Sequence, residues 1–290
     1  MSCWSTARSA PAASSIHRRL RTRVFLGALV AALAAGGVAA TFAISFATDT
    51  GRRADAKVYD RVGERDAPQL RRLGRRIGGK TLDIAAAAAV AATGIVLAAL
   101  SRLRRARFSG WAVALLLIGA FATTELLKDR LGERGRELAP RRVPDTFPSG
   151  HATLAMGIVL ACVLSMPRHR RTAATLVGSV VATLLGLLIV VGNLHPPSDV
   201  VGGWLVAAAW AALLASAVRS TERPATRDAG RFTGVFAAIA LLSLVFVILV
   251  GAYVEDALGA DWLLLALTVA IGLVSTAVVA VVGALADLAP

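Results

Sequence analysis

The sequence is poor in charged residues and in cysteine. Only 17% of its 290 residues are charged, and only two are cysteines. Cys3 lies in the N-terminal tail and Cys162 lies inside an apolar block, so a disulfide-stapled secreted domain is excluded and cysteine redox chemistry is not expected. The remaining composition is 56% hydrophobic with a mean hydropathy of +0.67, which excludes intrinsic disorder and a collagen-like chain.

The apolar residues occur in long blocks that contain almost no charge. Several blocks are about twenty residues long, the length that an α-helix needs to cross the hydrocarbon core of a bilayer. Helices also satisfy their own backbone hydrogen bonds there. The sequence therefore predicts an all-α polytopic membrane bundle. The eight predicted spans are Phe25–Ala47, Thr81–Leu100, Trp111–Leu127, His151–Met166, Ala173–Val191, Pro197–Val218, Phe232–Tyr253 and Trp262–Val282.

The net charge of +14 comes from arginines in the short segments between these blocks. They are not interleaved with aromatic residues, so they indicate membrane topology and lipid contacts, and no nucleic-acid partner is expected. With a cytoplasmic N-terminus, the basic turns 102–107, 168–171 and 219–231 are cytoplasmic as well, as the positive-inside rule requires. The opposite face carries a similar number of cations, but segment 48–80 is long and mixed in charge.

Two polar segments, Phe147–Thr153 and Asn193–Asp199, interrupt the apolar chain. Each is predicted to begin a span with a proline in its first turn, where the missing N–H costs nothing. Parity of the spans then brings His151 and His195 to one membrane face, near the positive ends of two helix dipoles. Helix N-termini attract anions such as phosphate.

The residues around this pair have the chemistry of a phosphate site. His195 and Asp199 are four residues apart, so if one helix includes both, the carboxylate can orient the imidazole and leave its other nitrogen free as a nucleophile. Taken singly, Ser149 and Ser198 are typical helix caps, and Asp199 is a typical first-turn acid. Convergence on one face favours the functional interpretation. The cations that reach the same face are Lys128, Arg130, Arg134, Arg136, Arg141 and Arg142.

At these positions the chain resembles the type 2 phosphatidic acid phosphatase (PAP2) family of membrane lipid phosphatases, which is related to vanadium haloperoxidases. The second family motif is intact as Pro148–His151, and the His-x-x-x-Asp half of the third runs from His195 to Asp199 and continues as Val200–Gly203. The resemblance covers about residues 48–218 and implies a six-helix core, so the last two spans are additional.

Two of the family motifs are altered in this chain. Lys128 fits the first motif, but the arginine of that motif falls on Gly135, so Arg136 is the equivalent after a one-residue shift. The Ser-Arg pair of the third motif falls on Leu188 and Ile189. Loss of one oriented donor costs on the order of 10² to 10³ in rate unless another arginine, such as Arg141 or Arg142, replaces it.

The resemblance implies a mechanism without metal or other cofactor. His195 attacks phosphorus and forms a phosphohistidine, Asp199 holds the tautomer of His195, and His151 protonates the leaving group and then activates water. The phosphoryl oxygens are held by Lys128, a loop arginine, Ser149 and the N–H of Gly150. The implied substrate is a lipid phosphate, such as a polyprenyl phosphate or diphosphate, phosphatidic acid or phosphatidylglycerol phosphate.

Two alternatives remain open from the sequence: a phosphotransferase on the same scaffold, and a catalytically inactive lipid-binding membrane protein. The predicted organisation is a cytoplasmic basic tail (1–22), a phosphatase core (23–218), a cytoplasmic loop (219–231) and two further spans (232–290). With a cytoplasmic N-terminus the site would face the extracytoplasmic side. A bacterial plasma membrane is expected because arginine far outnumbers lysine and Asn193 forms no glycosylation sequon. The sequence does not indicate the oligomeric state.

Overall fold

The structure, a computed structural model, describes residues 13–64, 110–138, 147–217 and 262–287. These ranges contain seven α-helices, one short π-helical segment and no β-strand, which confirms the all-α prediction. The helices are α1 (Ala13–Phe42), α2 (Asp49–Glu64), α3 (Gly110–Leu138), α4 (Gly150–Ser165), α5 (Arg168–Val191), α6 (Pro197–Ala217) and α7 (Trp262–Asp287), and the π-helical segment Ala43–Ala47 continues α1.

Five of the described helices are long and apolar enough to cross a membrane, so the chain is a multi-pass membrane protein. Their candidate membrane spans are Leu20–Ala47, Gly110–Leu131, Arg168–Val191, Pro197–Ala217 and Ala266–Asp287. They correspond to five of the eight spans predicted from the sequence. The predicted spans Thr81–Leu100 and Phe232–Tyr253, and the predicted loop 219–231, lie outside the described residues. Helix α1 begins at Ala13, so residues 13–22 of the predicted tail are helical.

Helix α4, which corresponds to the predicted span His151–Met166, is shorter than a membrane span. Its 16 residues rise by about 24 Å, against about 30 Å for the hydrocarbon core. Most of its side chains are buried among the other helices, including Met156, Leu160 and Ala161. Because neighbouring helices surround α4, the polar residues at its start lie within the bundle.

Helix α6 packs against α1, α3, α4 and α7. Its buried small residues, such as Ala207 and Ala211, let neighbouring backbones approach closely, as is common where membrane helices meet. Its largest buried side chain, Trp204, fits against Gly186 of α5, where a Cβ would lie 2.4 Å from the indole ring. The position of α6 is therefore fixed from several sides, and α6 carries half of the candidate site in its first turn.

Helix α2 is polar and follows α1 through the π-helical segment. Its buried residue Val58 belongs to the same hydrophobic core cluster as Leu187 and Ile189 near the end of α5. From the sequence, segment 48–80 could be either a helix on the membrane surface or a cover over the site. The described part, α2, packs against α5 and α6.

Candidate active site

Helix α4 begins with a side-chain cap. The Ser149 Oγ accepts a hydrogen bond from the Ala152 N–H at 3.2 Å, so Ser149 is the N-cap residue. Pro148 therefore precedes the helix, and the prediction of a proline in its first turn was wrong because serine is the stronger capping residue. The prediction is confirmed for α6, which begins at Pro197.

A backbone hydrogen bond joins the two polar segments directly. The Ser149 N–H donates to the Asp199 carbonyl at 3.0 Å. Two consecutive glycines of α6 make this approach possible: a Cβ on Gly203 would lie 2.5 Å from the Ser149 carbonyl oxygen, and a Cβ on Gly202 would lie 2.5 Å from the ring of Phe147. The start of α4 is thus seated on the glycine pair.

The two histidines lie side by side at this joint. The ring centroids of His151 and His195 are 5.8 Å apart, and the ring planes are inclined by 53°. His195 is only 8% exposed and is shielded from solvent, whereas His151 is partly exposed. This separation allows both rings to contact one tetrahedral phosphate group.

Asp199 contacts one nitrogen of the His195 ring. The His195 Nδ1 lies 3.2 Å from the Asp199 Oδ2, and Asp199 is fully buried. The spacing of the two residues predicted this contact on condition that one helix included both, but His195 precedes α6 and lies in the turn before it. A carboxylate in this position can accept a hydrogen bond from Nδ1–H, and in that tautomer of a neutral imidazole the lone pair is on Nε2.

The turn that presents His195 depends on Asn193. Asn193 has a φ of 56°, in the left-handed region, which asparagine tolerates better than most non-glycine residues. The Asn193 and Leu194 N–H groups donate to carbonyls of α5, at 2.9 Å to Val190 and 3.1 Å to Ile189. The end of α5 therefore fixes the turn and the imidazole that follows it.

Lys128 lies at the start of α4, paired with an acid that the sequence analysis did not single out. The Lys128 Nζ is 2.6 Å from the Glu125 Oε1, and a Cβ on Gly150 would lie 3.2 Å from each of these two atoms. The i,i+3 spacing of Glu125 and Lys128 was the available sequence signal. Gly150 thus lets α3 bring a cation to the N-terminus of the helix that carries His151.

Two buried threonines hold α3 against the first turn of α4. The hydroxyls of Thr124 and Thr153 are 2.9 Å apart, and the Thr153 hydroxyl donates to the Ser149 carbonyl at 2.9 Å. Lys128 follows Thr124 by four residues, so both lie on the same face of α3. These threonines were missed because isolated hydroxyl residues in an apolar block carry no pattern.

Asp55 of α2 caps α6 from outside the helix. Its carboxylate accepts hydrogen bonds from the Ser198 hydroxyl and, at 3.4 Å, from the Ser198 N–H. The start of α6 lacks a cap of its own, because Pro196 offers no capping side chain and Pro197 has no N–H. Asp55 was not identified from the sequence. Its contact places α2 directly beside Asp199.

Burial is the main cause that raises the pKa of Asp55 to about 6; the nearby charge of Asp199 adds to the rise, and hydrogen bonds from Ser198 and Ser45 oppose it. The folded chain therefore holds this proton in a pH range where the unfolded chain has lost it. Stability from this group is full at low pH and falls as the pH rises from about 4 to about 6.

The Asp55→Asn variant should lose this pH dependence. An asparagine keeps an acceptor for Ser198 but has no charge to bury. We expect its melting temperature, relative to that of the unsubstituted protein, to rise as the pH increases from 4 to 7. The measurement is thermal unfolding at a series of pH values, with Asp60→Asn, an exposed acid on α2, as the control. Parallel pH curves for the protein and Asp55→Asn would contradict the assignment.

The arginine of the third family motif is absent, and the structure shows what occupies its place. Ile189 is 7% exposed and packs in the hydrophobic core. Of the proposed cationic ligands, Arg134 and Arg136 fall in the last turns of α3, where the structure describes the backbone only, and Arg141 and Arg142 lie outside the described residues. Among the proposed cationic ligands whose side chains the structure describes, Lys128 is the one that lies at the start of α4.

Within the described ranges, no group of three or more His, Cys, Asp or Glu side chains is arranged to hold a metal ion. The site as described combines two imidazoles, a buried carboxylate, an ammonium group and two helix N-termini. This set can bind a phosphate group, supply a nucleophile and move protons. The roles of the individual residues, including Ser149 and Gly150, stay predictions.

Comparison with protein-family models matches residues 109–223 to the PAP2 superfamily. The match includes Lys128, the Pro148–His151 motif and the His195–Asp199 pair. Searches among curated proteins and among solved structures found no matching protein. The family supports a phosphatase-type activity on phosphate esters. Residues 109–223, which contain both histidine motifs, are thus similar to the PAP2 superfamily, and this match supports membership of that family.

Proposed function

We propose that the protein is a membrane lipid phosphate phosphatase that hydrolyses a phosphomonoester or diphosphate of a lipid through a phosphohistidine. The observation that carries the proposal is the pairing of His151 and His195, whose ring centroids are 5.8 Å apart. The buried Asp199 contacts one ring, and Lys128 lies at the start of the helix that carries the other.

In the first step, the Nε2 of His195 attacks phosphorus in line with the leaving group. The N–P bond forms while the bond between phosphorus and the ester oxygen breaks, and His151 gives a proton to that oxygen. Asp199 accepts a hydrogen bond from the Nδ1–H group of His195 and stabilises the positive charge that this ring gains. General acid catalysis of this kind contributes about 10² to 10⁴ in rate.

In the second step, water replaces the histidine. His151, now neutral, takes a proton from the water, whose oxygen bonds to phosphorus while the N–P bond breaks. Phosphate leaves, and His195 returns to its neutral form with the proton on Nδ1. Lys128 and the N–H of Gly150 stabilise the phosphoryl oxygens in both steps, because phosphoryl transfer depends mainly on positioning and charge neutralisation.

An aromatic cluster beside the site supports a lipid substrate. Phe42 and Phe46, at the end of the first span, stack at 4.8 Å between centroids, and both contact the ring of Phe147, at 5.6 and 5.8 Å. Phe147 directly precedes the Pro148–His151 motif. An apolar surface on the membrane side of a phosphate site suits a substrate whose headgroup enters the site while its chain stays in lipid.

The proposed location is the extracytoplasmic face of a bacterial plasma membrane. The arginine-rich turn between α4 and α5 lies at the end of α4 opposite to His151, so the positive-inside rule favours a cytoplasmic position for that turn. A site on the outer face suits the recycling of a carrier lipid after its cargo has been transferred.

The test is phosphate release from a panel of radiolabelled substrates by the full-length protein in lipid nanodiscs. Phosphatidic acid, a polyprenyl phosphate and a polyprenyl diphosphate are compared with glycerol phosphate, which carries the same reacting group without a chain. We expect kcat/KM to be higher for at least one lipid than for glycerol phosphate. Equal values would contradict the lipid assignment.

The same assay separates the alternatives. If label moves to an added lipid or sugar alcohol in preference to water, the protein is a phosphotransferase. If no substrate is hydrolysed faster than by the His195→Gln variant, the protein is an inactive lipid-binding member of the family. An acid-quenched reaction should also contain labelled protein whose phosphate is stable to alkali and labile to acid, as expected for phosphohistidine.

Replacing Lys128 with glutamine should lower kcat/KM by about 10² to 10³, the cost of losing one oriented donor to the phosphoryl oxygens. The effect should be large because Ile189 replaces the arginine that the third motif otherwise supplies. Initial rates over a range of substrate concentrations measure it. Lys57→Gln, which changes an exposed lysine on α2, is the matched control. A Lys128→Gln variant as active as this control would contradict the role of Lys128.

A further inference from the structure

A cluster of arginines lies at the end of the bundle opposite to the histidine pair. Arg168 and Arg171 are in the first turn of α5, directly after the end of α4, and Arg23 is in α1. Helix α4 separates this end from His151 by about 24 Å. Arg171 is 1% exposed and Arg23 is 6% exposed, although ionised side chains inside a membrane bundle are costly unless they are paired.

The described partners of the cluster are one carboxylate and three backbone carbonyl groups. Arg171 donates to the Asp287 carboxylate and, at 2.9 Å, to the Met166 carbonyl. Arg168 donates to the Asp287 carbonyl, and its Nε lies 3.8 Å from the Asp287 carboxylate. Arg23 donates to the Ala215 carbonyl at the end of α6. Asp287 is thus the described acid that both Arg168 and Arg171 contact.

Two of the buried donors have no hydrogen-bond partner among the described residues: the Nε–H of Arg23 and the Nε–H of Arg171. A buried N–H without an acceptor costs about 1 to 3 kcal/mol. The N-terminus of α5 adds to the positive potential, because its N-cap residue Pro167 provides no side-chain acceptor. The cluster therefore offers two buried N–H donors and a helix N-terminus to an anion with several oxygens.

We propose that Arg23, Arg168 and Arg171 form a binding site for the phosphate group of an anionic phospholipid. Phosphate oxygens accept the paired N–H groups of a guanidinium in a geometry that arginine fits well. The Arg168 side chain is 22% exposed and opens the cluster to the outside. In the orientation proposed above, this end lies at the cytoplasmic leaflet, where anionic headgroups occur and basic pockets between helices bind them.

Such a lipid would link four helices at the end of the bundle opposite to the histidine pair. Arg23 ties α1 to the end of α6, and Arg168 and Arg171 tie the start of α5 to the end of α7. The charges of Arg23 and Arg171 are close enough to repel each other, and a phosphate bound by both would offset that repulsion. The lipid is a structural ligand in this proposal, because its site lies about 24 Å from His151 along α4.

The test is thermal unfolding of the full-length protein in detergent with added phosphatidylglycerol, phosphatidylcholine or inorganic phosphate. We expect phosphatidylglycerol to raise the melting temperature more than phosphatidylcholine does. The Arg168→Gln variant should need about tenfold more phosphatidylglycerol for half of the effect, as expected for loss of one charge-assisted contact. Arg53→Gln, an exposed arginine on α2, should behave like the unsubstituted protein.

The Asp287→Asn variant distinguishes a lipid site from a purely structural ion-pair cluster. Asp287→Asn removes the competing carboxylate, so it should lower the phosphatidylglycerol concentration at half effect, even if it lowers the melting temperature in the absence of lipid. Equal responses of the protein and Arg168→Gln, or a weaker response of Asp287→Asn, would overturn the proposal. An equal shift with inorganic phosphate at the same phosphate concentration would overturn the lipid as ligand. Native mass spectrometry of retained lipid gives a readout independent of folding stability.

Discussion

Replacing His195 with glutamine should lower phosphate release by at least about four orders of magnitude, because the substitution removes the proposed nucleophile. Glutamine retains a polar side chain of similar length, so the turn after Asn193 and the packing of α6 should persist. His169→Gln is the matched control, since His169 is exposed at the opposite end of the bundle. Labelled phosphoprotein should be absent from the His195→Gln variant and present in the control.

The His151→Gln variant separates the two histidine roles by the choice of leaving group. With a lipid phosphomonoester, both formation and hydrolysis of the phosphohistidine should slow, because each step needs a proton transfer from or to His151. With an aryl phosphate, whose leaving group departs without protonation, formation should recover while hydrolysis stays slow. Labelled protein should then accumulate, and the released aryl alcohol should show an initial burst equal to the amount of enzyme. Equal steady-state losses for both substrates, without a burst, would remove His151 from this role.

The position of the site on the chain followed from short local signals. Proline and serine at the starts of apolar blocks indicated helix N-termini, and the parity of two spans brought His151 and His195 to one face. The structure brings the two rings together. These features were accessible because helix starts and span lengths depend on residues that are neighbours in sequence.

The residues that support the site were not accessible in the same way. Asp55 lies in a polar helix whose composition fits any exposed segment, and its role depends on a contact with Ser198, 143 residues further along the chain. The function of Gly202 and Gly203 became visible only when the start of α4 was seen to rest on them. Long-range contacts of single residues leave no periodic pattern in a sequence without aligned relatives.

The contact between His195 and Asp199 was predicted correctly, but from a geometry that differs from the one observed. The spacing of His195 and Asp199 suggested that both lie on one helix face, yet the helix begins at Pro197, two residues after the histidine. Pro196 disfavours a helical conformation for the residue before it, so His195 lies in a turn. The imidazole nevertheless reaches the carboxylate at 3.2 Å. The spacing thus identified the pair, whereas the prolines decided how it is formed.

Gly203→Ala should disrupt the joint between the two halves of the site with a single added methyl group. Its Cβ would lie 2.5 Å from the Ser149 carbonyl oxygen and 2.8 Å from the Thr153 hydroxyl, closer than such atoms approach in folded proteins. Neither atom can move independently, since the Ser149 carbonyl accepts hydrogen bonds from both the N–H and the hydroxyl of Thr153. The start of α6 must therefore move away from the start of α4.

That movement should weaken the hydrogen bond from the Ser149 N–H to the Asp199 carbonyl and shift His195 relative to His151. A displacement of about 1 Å can lower the rate about 10²-fold, and overpacking of this kind costs roughly 1 to 3 kcal/mol of stability. Gly36→Ala is the matched control, because a Cβ at Gly36 meets no atom within 4 Å. Phosphate release and thermal unfolding should be measured for both variants.

The two substitutions should change the stability of the protein in opposite directions. Gly36→Ala should keep full activity and gain slight stability, since alanine favours a helix over glycine. Gly203→Ala should lower both activity and stability. Its loss of activity should persist at temperatures where the variant is fully folded. If Gly203→Ala were folded and fully active, the histidine pair would not depend on the contact between the two helix starts, and the catalytic geometry would have to be held by α3 and α5 alone.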